Sequence, residues 1–153
     1  MTDKIAVVSP GLIVSGISIR GCREILEEYR IVTVVSVMSQ EQHLKYDSSF
    51  PIAIDGLMHY RFNFGDSDLI HPVTMFEMLA AMENVPCLLH CLSGQNRSTA
   101  VALCWIMLHE KCDLASAMTR YQSARGKLMP PIIMTCEMRA SVDAWIEAAR
   151  GLS

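Results

Sequence analysis

The stretch from His90 to Ser98, with the sequence His-Cys-Leu-Ser-Gly-Gln-Asn-Arg-Ser, holds the side chains best suited to chemistry in this chain. The thiol of Cys91 is followed, after five spacer residues, by the guanidinium of Arg97 and then by the hydroxyl of Ser98. A thiolate is a strong nucleophile, and an arginine can donate two parallel hydrogen bonds to one phosphate. Ser98 can donate a hydrogen bond to the sulfur. The spacing therefore indicates covalent chemistry by Cys91 on an oxyanion such as phosphate.

The flanking segments predict that this stretch forms a loop between a buried strand and a buried helix. A short apolar run, Pro86 to Leu89, precedes it, and residues Thr99 to His109 are apolar nearly all round. Backbone N–H groups that point into such a loop form an anion site, and the N-terminus of the following helix adds positive charge. The same dipoles would stabilise a thiolate at Cys91. We expect the anion to be held by the side chain of Arg97 and by the backbone of Leu92, Ser93, Gly94, Gln95 and Asn96.

This stretch resembles the His-Cys-x5-Arg-Ser/Thr signature of the cysteine-dependent protein phosphatases, and the chain length resembles their compact dual-specificity group. The match holds residue for residue at His90, Cys91, Gly94, Arg97 and Ser98. Outside the loop, the resemblance lies in the order and size of the elements. It implies an enzyme without cofactor or metal, in which Cys91 forms a phosphocysteine intermediate and Ser98 helps the sulfur to leave it. His90 is expected to brace the loop by hydrogen bonding to its backbone.

One position departs from the family pattern. Asn96 stands where many relatives carry a small Gly or Ser. Asparagine tolerates unusual backbone angles better than most residues, so we expect the loop to form.

The resemblance also implies a general acid and base on a loop that follows a strand, some two dozen residues before the cysteine. Asp66 and Asp68 lie 25 and 23 residues before Cys91. Asp66 follows the predicted strand by a single glycine, whereas Asp68 lies nearer Pro72, where a carboxylate would favour the helix N-terminus. We therefore predict Asp66 as the acid and Asp68 as a supporting residue.

Composition narrows the range of partners. The chain has 153 residues, 51% of them apolar, so we expect one catalytic domain over residues 1–153 that acts as a monomer. A formal charge of −3 argues against nucleic acid, and a polybasic run for a membrane surface is missing. The substrate expected is a phosphorylated protein or a small phosphoester.

The six cysteines show neither a regular spacing nor a Cys-x-x-Cys pair. Such a distribution predicts neither a zinc site nor a disulfide framework. We therefore expect the protein in a reducing compartment, the cytoplasm.

Alternating apolar patterns predict an α/β fold, with a central mixed sheet of four to five strands flanked by helices. The predicted strands cover two short pieces within residues 5–14, then 31–37, 57–64 and 86–89. The predicted helices cover residues 18–30, 72–82, 99–109 and 114–124, and a last helix ends near residue 150. Residues 39–56 read as a long connection with a short helical turn, which either walls the active site with Lys45 and Tyr46 or is a solvated loop.

Two other classes of protein remain possible from the sequence. A rhodanese-like sulfurtransferase also uses a cysteine in an anion-binding loop, although Arg97-Ser98 and the upstream aspartates suit phosphoryl transfer better. A pseudophosphatase would bind phosphate without hydrolysing it, but such proteins usually lack the cysteine, the arginine or the acid. Phosphoinositide-directed relatives tend to carry basic loop residues, and the spacer here is uncharged, which favours a phosphoprotein or a simple phosphoester.

Overall fold

The computed structural model describes residues 5–93, 95–127 and 131–152. Its five strands are β1 (Ile5–Ser9), β2 (Leu12–Ser15), β3 (Thr33–Met38), β4 (Met58–Asn63) and β5 (Cys87–His90). Its six α-helices are α1 (Arg23–Glu28), α2 (Gln40–Tyr46), α3 (Pro72–Ala81), α4 (Arg97–Glu110), α5 (Leu114–Arg125) and α6 (Cys136–Gly151).

The strands form one mixed sheet in the order β1-β2-β5-β3-β4. The β1–β2 pair is antiparallel, and the other three pairs are parallel. Strands β3 and β5 are buried along their whole length, which is why their sequences are almost uninterrupted apolar runs. The expected mixed α/β sheet of four to five strands is confirmed.

The two faces of the sheet pack against different sets of helices. The larger core lies between the sheet and α3 to α6, and α4 lies at its centre with residues Arg97 to Met107 all buried. A smaller core on the other face includes Ile13, Leu26 and Val34. Burial on all sides explains why the sequence of α4 lacks a polar face.

Two predicted segments differ in the structure. The single helix expected over residues 18–30 is instead a 3-10 turn, Ile17–Gly21, followed by the short helix α1. Gly21 has low helix propensity, and the side chain of Arg20 is drawn into the protein, where it is 1% exposed. The connection over residues 39–56 contains a two-turn helix, α2, whose N-terminus is closed by a reciprocal capping box between Ser39 and Gln42.

The parallel strands β2, β5, β3 and β4 all end at the same edge of the sheet. The loop after β5 carries the predicted nucleophile, the loop after β4 carries the predicted acid, and α2 follows β3 directly. Ligands of such sheets bind at the carboxyl ends of the strands.

Candidate active site

The reactive loop, residues 91–96, joins β5 to the N-terminus of α4. Cys91 is 1% exposed, and its sulfur lies 3.3 Å from the hydroxyl of Ser98 in the first turn of α4. The loop packs against the end of β2, because Ile17 N donates to the carbonyl of Leu92 over 3.1 Å. A Cβ added at Gly16 would lie 3.2 Å from that same carbonyl oxygen. The predicted thiol and hydroxyl are thus adjacent in a tightly packed loop.

Several backbone N–H groups lie at the start of α4 without an acceptor among the described residues. No acceptor atom among the described residues takes a hydrogen bond from the backbone N–H of Leu92, Ser93, Gln95, Asn96 or Arg97. Although asparagine is a favoured N-cap, the side chain of Asn96 makes no capping bond to α4. Backbone N–H groups are seldom left without an acceptor, so this loop has unused capacity for an anion. Gly94, also predicted to bind phosphate, lies outside the described residues.

Arg97 is 2% exposed, and protein acceptors occupy part of its guanidinium. Its Nη1 donates to Gln42 Oε1 over 2.7 Å and to the carbonyl of Phe64 over 3.2 Å. Its Nε lies 3.1 Å from Asp66 Oδ1, an ion-pair contact without hydrogen-bond geometry. Nη2 forms no hydrogen bond with a described residue. The two parallel hydrogen bonds from Arg97 to a phosphate that the sequence predicts are therefore only partly available. Protein acceptors already bind Nη1, because the donors of a buried guanidinium need acceptors.

The two candidate acids have different environments within residues 65–70, here called the acid loop. Asp66 is 54% exposed, and its Oδ1 accepts a 2.7 Å hydrogen bond from Asn96 in the reactive loop. Asp68 accepts the backbone N–H of Gly65 over 2.6 Å and so closes the acid loop on itself. The N-cap of α3 is His71, which accepts from Val73 N, and Asp68 makes no capping bond to that helix.

His90 lies beneath the loop in a buried polar network. Its Nδ1 lies 2.9 Å from the carbonyl of Cys91, and its Nε2 lies 2.5 Å from Ser36 Oγ. Burial lowers the pKa of His90 to about 3, so the ring is neutral. Because a carbonyl only accepts, Nδ1 carries the proton and Nε2 accepts from Ser36.

The remaining contacts of Ser36 complete the network. Ser36 Oγ accepts from Arg20 Nη1 over 3.1 Å and lies 2.7 Å from His59 Nε2. Since the hydroxyl proton is already given to His90, His59 Nε2 must be the donor. Burial, followed by the charges of Arg61 and Arg20, lowers the pKa of His59 to about 4.

Sequence reasoning missed several residues of this region. Gln42 reaches Arg97 from the connection where Lys45 and Tyr46 were considered, and the Ser39-x-x-Gln42 spacing was the available signal. Ser36 was visible only as one polar residue in an apolar strand. Nothing in the sequence placed Thr135, whose hydroxyl donates to the carbonyl of Asp66.

Some classes of feature are not found in the described part of the chain. Its helices include none with the length and apolar content to cross a bilayer. No group of three or more potential metal ligands occurs among the same residues. All six cysteines are described, and they form no disulfide bond.

A mixed α/β sheet whose central strand leads through a Cys-x5-Arg loop into a buried helix is the arrangement of the cysteine-dependent phosphatases. The sequence model of the dual specificity phosphatase catalytic domain matches residues 16–140, and the chain belongs to that family. The protein is therefore a cysteine-dependent phosphatase of the dual-specificity type.

Solved structures share the fold over nearly the full chain. Human DUSP28 is 22% identical, with a TM-score of 0.80 over 98% of this chain and 97% of that chain. A mouse putative dual specificity phosphatase, complexed with zinc tungstate, is 23% identical, with a TM-score of 0.82 over 99% and 92%. PTPMT1 in complex with PI(5)P is 9% identical, with a TM-score of 0.75 over 99% and 100%. A comparison with curated protein sequences returned no match.

Proposed function

We propose that this phosphatase hydrolyses phosphomonoesters of proteins through a phosphocysteine on Cys91. The Cys91 thiolate attacks phosphorus, the S–P bond forms, and the bond from phosphorus to the ester oxygen breaks. Asp66 gives its proton to that leaving oxygen. In the second step Asp66 takes a proton from water as the water attacks phosphorus, and the S–P bond breaks to release inorganic phosphate.

The other residues of the site stabilise charge. The N–H groups of the reactive loop and the Nη2 of Arg97 are the donors available to the phosphoryl oxygens. Ser98, 3.3 Å from the sulfur, donates a hydrogen bond to the thiolate as it leaves the phosphocysteine. His90 fixes the backbone of Cys91 through its carbonyl.

One observation carries this assignment of roles. The nucleophile, the arginine and the acid converge at the N-terminus of α4, where Arg97 Nε lies 3.1 Å from Asp66 Oδ1 and Ser98 lies beside Cys91. Asp66 lies in the loop after β4, Arg97 is the first residue of the helix that follows β5, and the two are 31 residues apart in sequence. Such convergence is expected of a catalytic site rather than of a structural cysteine.

The substrate class follows from the charge of the loop. Among the spacer residues, Leu92, Ser93, Gln95 and Asn96 provide no cation for a second or third phosphate. PTPMT1 is described in complex with PI(5)P, so the fold by itself is compatible with a phosphoinositide. We favour a phosphoprotein or a simple phosphoester, acted on by a monomer in a reducing compartment such as the cytoplasm.

The test measures phosphate release and sulfur transfer from thiosulfate to cyanide side by side. The phosphatase proposal expects phosphate release alone. Sulfur transfer alone would indicate a rhodanese-like enzyme, and phosphate binding without either reaction would indicate a pseudophosphatase. A panel of phosphopeptides and phosphoinositides then tests the substrate class, and faster turnover of a bis- or trisphosphorylated lipid than of any phosphopeptide would contradict it.

A further inference from the structure

We propose that Asn96 is a positioning residue that holds Asp66 in the orientation needed to protonate the leaving group. This inference rests on the proposed phosphatase reaction and on Asp66 as its acid. Asn96 directly precedes Arg97, and its side chain connects the reactive loop to the acid loop through a hydrogen bond to Asp66. The residue acts through Asp66 and is not assigned a contact with the substrate.

The amide of Asn96 uses both of its ends. Its Nδ2 donates to Asp66 Oδ1 over 2.7 Å, and its Oδ1 accepts from the backbone N–H of Thr135 over 2.9 Å. Chemistry fixes this orientation, because the Thr135 N–H can only donate and an ionised carboxylate can only accept. Asn96 therefore links the acid loop to the segment that begins α6.

The helix that Asn96 begins gains nothing from this side chain. At the N-cap of α4 an asparagine normally accepts a hydrogen bond from the second or third helical N–H. Here no such bond is made, and the amide is directed across to Asp66 and Thr135. Because the Asn96 side chain makes two contacts with other loops instead of the usual capping bond, those loops set its position.

Other contacts hold the acid loop without choosing the direction of the Asp66 carboxyl. Thr135 Oγ1 donates to the Asp66 carbonyl over 3.2 Å, and Ser141 Oγ of α6 accepts from Ile70 N over 2.8 Å. Both contacts are to the backbone. Within the described residues, only Asn96 makes a hydrogen bond to the Asp66 carboxyl, while Arg97 Nε lies at ion-pair distance from it.

This geometry separates the two carboxyl oxygens. Asn96 and Arg97 both approach Oδ1, whereas Oδ2 accepts no hydrogen bond from a described residue. A proton on a carboxyl whose Oδ1 accepts from Asn96 belongs on Oδ2. Asn96 thus determines which oxygen of Asp66 can hold the proton and how that oxygen is aimed.

The experiment compares Asn96→Ser with the wild type on aryl phosphates of good and poor leaving groups, p-nitrophenyl and phenyl phosphate. Serine is itself a favoured N-cap, so α4 should remain intact while the reach to Asp66 is lost. We expect kcat/KM for phenyl phosphate to fall about tenfold, with a change of less than about threefold for p-nitrophenyl phosphate. Asn84→Ser, at an exposed position before the amino end of β5 and so at the opposite end of that strand from the reactive loop, is the matched control and should change neither value.

A double-mutant cycle with Asp66→Asn tests whether the effect passes through Asp66. If it does, Asn96→Ser adds no further loss on phenyl phosphate once the acid is already removed. Equal losses on both substrates, or an undiminished loss in the Asp66→Asn background, would overturn the proposal. If instead the wild type hydrolyses neither substrate, the phosphatase function itself fails, which is a different outcome.

Discussion

The side chains of the candidate site are constrained at the level of single atoms. Cys91 is buried against Ser98, and Arg97 is held through Nη1 by Gln42 and through Nε beside Asp66. Nη2 of that guanidinium and the backbone N–H groups of Leu92, Ser93, Gln95 and Asn96 make no hydrogen bond with a described residue. The site thus presents an unused set of donors next to a nucleophile, which suits a transferring phosphoryl group.

Cys91→Ser should abolish turnover while preserving binding of an oxyanion. An alcohol is a far poorer nucleophile than a thiolate, but the loop donors and Arg97 are unchanged. Phosphate release and the affinity for tungstate or phosphate, measured by calorimetry, check the two halves of this prediction. Cys22→Ser, at a cysteine outside the site, serves as the control and should retain activity. Substantial turnover by the Cys91 variant would argue against a phosphocysteine.

Asp66→Asn should reduce kcat for poor leaving groups by a factor of about 100 or more, with a much smaller loss for good ones. It should also remove the basic limb of the pH–rate profile, because that limb reports loss of the proton from the acid. Asp68→Asn weakens only the turn at Gly65 and should leave both features in place. If Asp68→Asn shows the leaving-group dependence and Asp66→Asn does not, the roles are exchanged.

At the scale of elements, one residue of α2, Gln42, both caps that helix and contacts the catalytic arginine. Gln42 Oε1 accepts both the Ser39 N–H, as part of the capping box, and Arg97 Nη1. One side chain therefore closes the helix and fixes the plane of the guanidinium. Within the connection after β3, Gln42 in the first turn of α2 makes the contact with Arg97.

Gln42→Ala should raise the KM for all phosphate esters by about tenfold, because a hydrogen bond to a charged group is worth roughly 1.5–3 kcal/mol. The increase should not depend on the leaving group, since Arg97 binds the phosphoryl group of every substrate. Ser39→Ala is the control. Ser39→Ala removes the side-chain cap of α2, which should lower the free energy of unfolding by about 1 kcal/mol, but it leaves the contact between Gln42 and Arg97. Steady-state kinetics with urea unfolding of both variants separates the two effects, and equal KM values for the variants would contradict the assignment.

At the scale of the whole molecule, a polar network crosses the sheet beneath the site. Ser36 of β3 contacts His90 of β5, His59 of β4 and Arg20 of the 3-10 turn. Arg20 is further held by Asp47 over 2.8 Å, and the Arg20 hydrogen bond and the Arg61 charge lower the pKa of Asp47 despite its partial burial. The network ties the backbone of Cys91 to three elements of the fold.

This network makes stability sensitive to mild acid. The folded-state pKa values of His90 and His59, about 3 and about 4, lie below the unfolded value of about 6.5. Between these values the unfolded state binds more protons, so stability is fully present above about pH 6.5 and falls as the pH decreases. Each histidine contributes up to about 1.4 kcal/mol per pH unit in that window.

The measurement is the urea midpoint at pH 7, 6 and 5, above the range in which Asp47 titrates. His59→Gln keeps an N–H donor for Ser36 but has no titrating ring, so its midpoint should depend less on pH than that of the wild type. Identical pH dependence in the two proteins would exclude His59 as a source of the effect.

The local pattern of the sequence was sufficient for the elements that carry their own signal. The apolar runs of β3, β5 and α4 predicted these elements, and Pro72 in the first turn of α3 is a signal of the same local kind, because burial and capping act over neighbouring residues. The Cys-x5-Arg spacing likewise indicated an anion site, since its parts lie within one loop. The helix expected over residues 18–30 failed because the side chain of Arg20 is used in a distant network that no local periodicity reveals.

Only the tertiary structure decided how distant loops meet. Spacing could not separate Asp66 from Asp68, because the two residues differ in their contacts. Asp66 contacts Asn96 and Arg97, whereas Asp68 accepts from the backbone N–H of Gly65. Gly65 has no positive φ, and the Asp66 carboxyl contacts Asn96 and Arg97 instead. Gln42 reaches the site because α2 follows the carboxyl end of the parallel strand β3, whereas Thr135 reaches it from the N-cap of α6, which comes after all five strands in the chain.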